Sequence, residues 1–127
     1  MAVLTPDSPE LASALARPDT LMVAGLCAEW CGTCRDYLPK LEDLSSRFPQ
    51  HTFVWIDIET HPELLDDEDI ENFPTLLIQS PAHTLFYGTI LPHISHLERL
   101  LATLDPSRPS TIEAPAVHAA LLRGRDR

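Results

Sequence analysis

The sequence predicts an α/β domain built on a mixed β-sheet flanked by helices. Three observations in the 127-residue chain predict it. Strand-like and helix-like segments alternate through its first half. Two strand-like runs then follow one another across a short turn, as a hairpin does. The run "TLMVAGLC", Thr20 to Cys27, is apolar almost throughout, the pattern of a strand covered on both faces of a sheet.

Each element has its own signal. "DSPELASALAR" reads as a first helix, with Asp7 or Ser8 as its cap, Pro9 in the first turn, and Leu11, Ala14 and Leu15 as an apolar stripe. After the Thr20–Cys27 strand, Tyr37, Leu38, Leu41, Leu44 and Phe48 recur at helical spacing, and Pro39 predicts a kink within that helix. "HTFVWIDI", His51 to Ile58, is the next strand. "THPELLDDEDI" reads as a helix, with Thr60 and Glu63 as a capping box. "PTLLIQ" and "TLFYG" are the hairpin strands, and "HISHLERLLATL" is a last amphipathic helix. Beyond Leu104 the composition turns to Pro and Ser. Residues 1–104 are therefore expected to form the domain, and 105–127 a C-terminal extension with a linker and a short helix, "AVHAALLRG". That helix is expected either to stay disordered or to dock its apolar face on the body or on a second copy.

Composition excludes several function classes. A net charge of −10 leaves no surface able to neutralise nucleic-acid phosphates or to bind an anionic membrane. The longest apolar runs fall far short of the ~20 residues of a membrane span. The N-terminal segment lacks the basic and apolar regions of a secretory signal, so a cytoplasmic location is expected. In that compartment cysteines point to chemistry or burial.

The chemistry-bearing feature is Cys31-Gly32-Thr33-Cys34, placed where a buried strand hands over to a helix. The helix N-terminus stabilises a thiolate, because unpaired N–H groups and the positive end of the dipole face it. A second cysteine one turn on is close enough to close a disulfide. Such a pair after a strand and before a helix reads as a dithiol redox motif. A zinc site needs about four ligands. There is no second Cys-x-x-Cys, and His93 and His96 would have to swing in from the last helix, so no metal is expected.

These residues resemble the thioredoxin family. Ala28-Glu29-Trp30-Cys31-Gly32-Thr33-Cys34 is similar to its active-site stretch, with Thr33 where the family usually has proline. Pro39 matches the proline of its active-site helix, Phe73-Pro74-Thr75 its cis-proline loop, and Gly88 the glycine flanking its groove. The resemblance runs from about Leu11 to Leu104. It implies a thioredoxin fold, with a sheet of four to five strands. It implies that Cys31 is the attacking nucleophile and Cys34 the buried resolving thiol, cycling through a Cys31–Cys34 disulfide without organic cofactor or metal. It implies a groove lined by Trp30, Gly32, Thr33, Phe73, Pro74, Tyr87 and Gly88, although core packing accounts equally well for Phe73 and Tyr87. Its substrates would be protein disulfides, and its electrons would come from an external reductant, a thioredoxin reductase or glutathione. Thr33 implies a reductant-to-intermediate poise.

Two positions depart from the family. Its buried acidic residue falls on Gly25, and the lysine that often pairs with that acid falls on Trp55. Asp57 is expected at the strand end with a different orientation. The usual proton acceptor for Cys34 is thus missing, a contribution of ~10²–10⁴-fold where general base catalysis operates, unless water enters the space at Gly25. That departure supports an alternative reading, a peptide-binding or chaperone-like module with weak or regulatory redox activity. Cys27 reads as a small buried hydrophobe, with a backup thiol reaching Cys31 as the functional alternative. The acidic run Glu63 to Glu71 reads as a solvated helix face, and as partner steering otherwise. Its spacing does not fit a calcium loop. The six histidines read mostly as surface or capping residues.

Overall fold

A computed structural model describes residues 3–17, 20–28, 32–61, 64, 75–80, 83–89, 93–103 and 117–123. The predicted helix at 60–70, apart from Thr60, His61 and Leu64, lies outside them, as does the linker after Thr103. Five strands and four helices are described. They are β1 (Val3–Leu4), α1 (Leu11–Leu15), β2 (Met22–Cys27), α2 (Gly32–Arg47), β3 (Thr52–Asp57), β4 (Thr75–Gln79), β5 (Thr84–Thr89), α3 (Ile94–Thr103) and α4 (Val117–Arg123).

The sheet order is β1-β3-β2-β4-β5. β2 lies at its centre, parallel to β3 and antiparallel to β4, and β4 pairs antiparallel with β5. This is the expected mixed sheet with its hairpin. Ser80 N–H donates to the His83 carbonyl at 2.8 Å across the turn. β1 has no signal in the sequence. Two residues are too short for a period-2 pattern, and β1 exists only through its parallel pairing of Val3 with Phe53 and Leu4 with Val54.

Every residue of β2 is buried because helices cover both faces. Strand alternation divides its side chains. Met22, Ala24 and Leu26 join Leu11 and Leu15 of α1, Val54, Ile56 and Leu77, and Val117 and Leu121 of α4 in one core cluster. Leu21 and Val23 join Tyr37, Leu41 and Leu44 of α2, Phe53, Leu76, Ile78, and Leu97 and Leu101 of α3 in the other. The result is three layers, with α1 and α4 on one face and α2 and α3 on the other.

Two local expectations need correction. α1 starts at Leu11 with Glu10 at its cap position and no side-chain cap bond. The Ser8 hydroxyl instead accepts the Thr5 N–H at 2.9 Å, so it is committed to the preceding turn. Two histidines are core residues: His61 is 6% and His118 3% exposed. α4 carries His118 inward beside Val117, and its backbone N–H donates to Gln79 Oε1 at 2.9 Å. The terminal helix therefore docks on the body, tied to the end of β4.

Candidate functional site

The site is assembled at the C-terminal end of β2. Leu21, Val23, Gly25 and Cys27 alternate onto the face that α2 covers. Cys34 occupies the first turn of α2 and points back into that face. The Cys27 and Cys34 sulfurs are joined in a disulfide, with Cα atoms 5.9 Å apart, within the span such a bond requires. Both cysteines are 1% exposed.

This pairing differs from both sequence expectations. Cys27 is not a mere filler of space, and the thiol it reaches is Cys34, not Cys31. The resemblance paired Cys34 with Cys31; in this structure the Cys34 partner is Cys27. The physical reason is placement. Cys27 ends a strand whose odd-numbered side chains face α2, and Cys34 is the first buried residue of that helix. Strand parity in the sequence gives the face on which Cys27 lies; which helix residue it meets follows from packing.

The remaining expected site residues divide as follows. Cys31, Trp30, Phe73 and Pro74 lie outside the described residues. Gly32 and Thr33 are exposed at the start of α2. Gly88 pairs with Leu76, which in turn pairs with Gly25. Thr75, directly after Pro74 in the sequence, pairs with Leu26, the residue before Cys27. Thus the chain enters β4 at the same end of the sheet where β2 delivers Cys27. Tyr87 packs half-buried against the cluster on the α1 and α4 face.

The start of α2 presents the positive end of the helix dipole. Its first turn carries no acidic side chain to oppose the helix dipole. Three residues beyond Cys34, the Tyr37 side chain is 1% exposed, and its hydroxyl has no partner among the described residues. Burial pushes this phenol up to about 12, so it stays neutral at physiological pH.

Gly25 and Trp55 are register partners on neighbouring strands. A Cβ at Gly25 would stand 3.2 Å from Trp55 Cε3 and 3.6 Å from Leu41 Cδ2. The indole thus occupies the side of β2 that Gly25 leaves bare, and the opening for water considered from the sequence is filled. Asp57, in register with Cys27, uses one carboxylate oxygen to accept the Glu59 N–H at 2.8 Å.

Among the described residues, no group of three or more His, Cys, Asp or Glu converges as metal ligands would. His93 and His96 contact each other, ring centroids 5.9 Å apart, at exposed positions where α3 begins. A cleft of about 390 Å³ lined by Leu4, Arg17, Ser45, His51 and Thr52 lies at the opposite end of the sheet, where β3 begins.

A mixed five-stranded sheet flanked by helices, with a cysteine in the first turn of the helix after its central strand, is the arrangement of the thioredoxin-fold class. Comparison with known proteins agrees. The family model described as Thioredoxin matches residues 2–87. The chain belongs to the thioredoxin family. It is 33% identical over 69 residues to "Thioredoxin-1" of Saccharomyces cerevisiae, covering 54% of this chain and 66% of that protein. It is 33% identical over 58 residues to "Thioredoxin" of Chlamydia trachomatis, covering 46% of this chain and 57% of that one. The matched stretches thus span under two thirds of these curated relatives. Among solved structures, the germline-specific thioredoxin Deadhead of Drosophila is similar in fold, with a TM-score of 0.66 at 20% identity, covering 83% of this chain and 99% of that one.

Proposed function

We propose that the protein is a thiol–disulfide oxidoreductase acting on protein disulfides. Cys31 attacks a substrate disulfide and forms a mixed disulfide. Cys34 then attacks Cys31, releasing the reduced substrate as the Cys31–Cys34 bond closes. The observation that carries this reading is Cys34 itself: a buried cysteine in the first turn of α2, held in a disulfide, on a thioredoxin-family fold. Trp30, Gly32, Thr33, Phe73, Pro74, Tyr87 and Gly88 are proposed to line the substrate groove. No cofactor is required. An external reductant, a thioredoxin reductase or glutathione, would return the dithiol. A cytoplasmic location fits this chemistry, and no described helix is long and apolar enough to cross a membrane.

The missing carboxylate at Gly25 favours a slow or specialised reductase, because nothing there takes the proton of Cys34. It is also the observation behind the second reading, a peptide-binding module with regulatory redox activity. Insulin-disulfide reduction with dithiothreitol separates the two. The oxidoreductase accelerates precipitation and loses this on Cys31→Ser. A Cys34→Ser variant is expected to accumulate mixed disulfides on Cys31. No acceleration and no trapped partner, with peptide binding retained by the Cys31→Ser, Cys34→Ser double variant, would establish the binding module instead.

A further inference from the structure

We propose that Cys27 is a third redox cysteine, and that Cys34 exchanges its disulfide between Cys31 and Cys27. The proposal rests on the oxidoreductase reading above and adds a second oxidised state to it. Two observations carry it. The Cys27–Cys34 bond is present, between the end of β2 and the first turn of α2. Both of its cysteines are 1% exposed, so thiols in solution have no approach to either sulfur.

The exchange step is balanced within the chain. Starting from the Cys31–Cys34 disulfide, the Cys27 thiolate attacks Cys34 Sγ. The Cys27–Cys34 bond forms as the Cys31–Cys34 bond breaks, and the electron pair of the broken bond leaves on Cys31 sulfur. Cys31 takes up a proton in place of the one Cys27 gave up. No electron enters or leaves the protein. The oxidised protein then carries a free thiol at Cys31 and a disulfide sealed in the core. In that state Cys31 still forms mixed disulfides, but Cys34 has no thiol with which to resolve them. Reduction runs through the reverse step, with Cys31 as the thiol that reopens the bond, since the sequence sets it directly before Gly32, the first residue of α2.

The absence of a carboxylate at position 25 strengthens the case. Gly25 has no side chain, and the Trp55 indole against it accepts no proton. With no carboxylate at position 25 to take the Cys34 proton, a resident sulfur partner is an alternative state for it.

The sequence permits a direct test. Cleavage after glutamate separates residues 11–29, which hold Cys27, from residues 30–42, which hold Cys31 and Cys34. The full chain is oxidised, acid-quenched, alkylated under denaturing conditions, digested without reduction and mapped by mass spectrometry. A Cys31–Cys34 bond stays inside 30–42. A Cys27–Cys34 bond joins 11–29 to 30–42, and the alkyl group then sits on Cys31. The joined species is the expected result. Finding every disulfide inside 30–42, with Cys27 alkylated, overturns the proposal.

A second arm tests the role of Cys31. Oxidised Cys31→Ser should show the joined pair, and dithiothreitol should reduce it under native conditions at least ~10-fold more slowly than in the wild type. Equal native rates would overturn the relay; equal rates in denaturant are the control. The mapping needs no substrate and the insulin assay needs no mapping, so the two proposals fail separately. A joined pair without insulin reduction sinks the oxidoreductase reading. Insulin reduction with all disulfide inside 30–42 sinks this one.

Discussion

Gly25 and Trp55 show how one pair of residues alters a site. Side by side on β2 and β3, a residue without a side chain and the largest side chain fill one space between them. An aspartate at 25 meets the indole at 3.2 Å and brings a carboxylate into the apolar core. Gly25→Asp is expected to lower stability by about 1–3 kcal/mol, from overpacking and an unpaired buried polar group. Adding Trp55→Lys should recover part of that loss by opening the space and supplying a cation. Urea unfolding of both single variants and the double variant measures the coupling, and strict additivity would refute it. His118 makes a second residue-scale prediction. Burial lowers its pKa, although its own backbone hydrogen bond pulls the other way. His51 is lowered too, by burial and then by Arg17. The folded state therefore binds fewer protons than the unfolded one. The stability of both neutral imidazoles is fully present above the unfolded value of ~6.5 and is lost as pH falls from there through the lower folded values. Urea midpoints from pH 7.5 down to 5 should fall, and His118→Gln should flatten part of that slope. An unchanged slope would remove His118 from the account.

Among elements, α2 and α4 are held differently from how their charges advertise. Arg47 of α2 reaches Glu98 of α3 at 2.8 Å, yet both side chains are more than 40% exposed. A pair this wet contributes about 0–1 kcal/mol, so Arg47→Ala should barely move the melting temperature. What joins the two helices is apolar contact, Tyr37, Leu41 and Leu44 of α2 with Leu97 and Leu101 of α3. The same holds for α4. Seven residues are too few to be helical alone in water. Val117 and Leu121, 0% and 2% exposed, join Leu11 and Leu15 of α1 in the core, and that burial stabilises both short helices. Leu121→Ala is expected to cost about 2–4 kcal/mol in chemical unfolding. A loss below ~0.5 kcal/mol would mean that α4 is a dispensable appendage.

For the whole molecule, the Cys27–Cys34 bond ties the central strand to the helix that carries the site, across a sequence separation of 7. Closing so short a loop in the unfolded chain is worth roughly 2 kcal/mol in the chain-entropy account. In a Cys31→Ser background, where Cys27 and Cys34 are the remaining thiols, the oxidised form should exceed the reduced form in unfolding stability by about that amount. Much of this architecture was legible in the sequence. β2 announced itself as a continuous apolar run because a central strand has no wet face, and the hairpin and α3 by their periods. The thioredoxin-family motifs pointed to the family, because Ala28 to Cys34 are contiguous in the chain. The contacts that were not legible join residues from different elements. Short β1 carries no pattern of its own and exists only by pairing with β3. The burial of His61 and His118 follows from where their segments dock, which composition does not encode. The sequence by itself determined the types of β2 to β5 and α1 to α4, the sheet class and the presence of the Cys31-x-x-Cys34 motif, since these follow from local periodicity and contiguous residues. Only the tertiary structure decided that Trp55 fills the space beside Gly25 and that Cys34 bonds to Cys27, because both depend on which side chains face each other once strand and helix are packed.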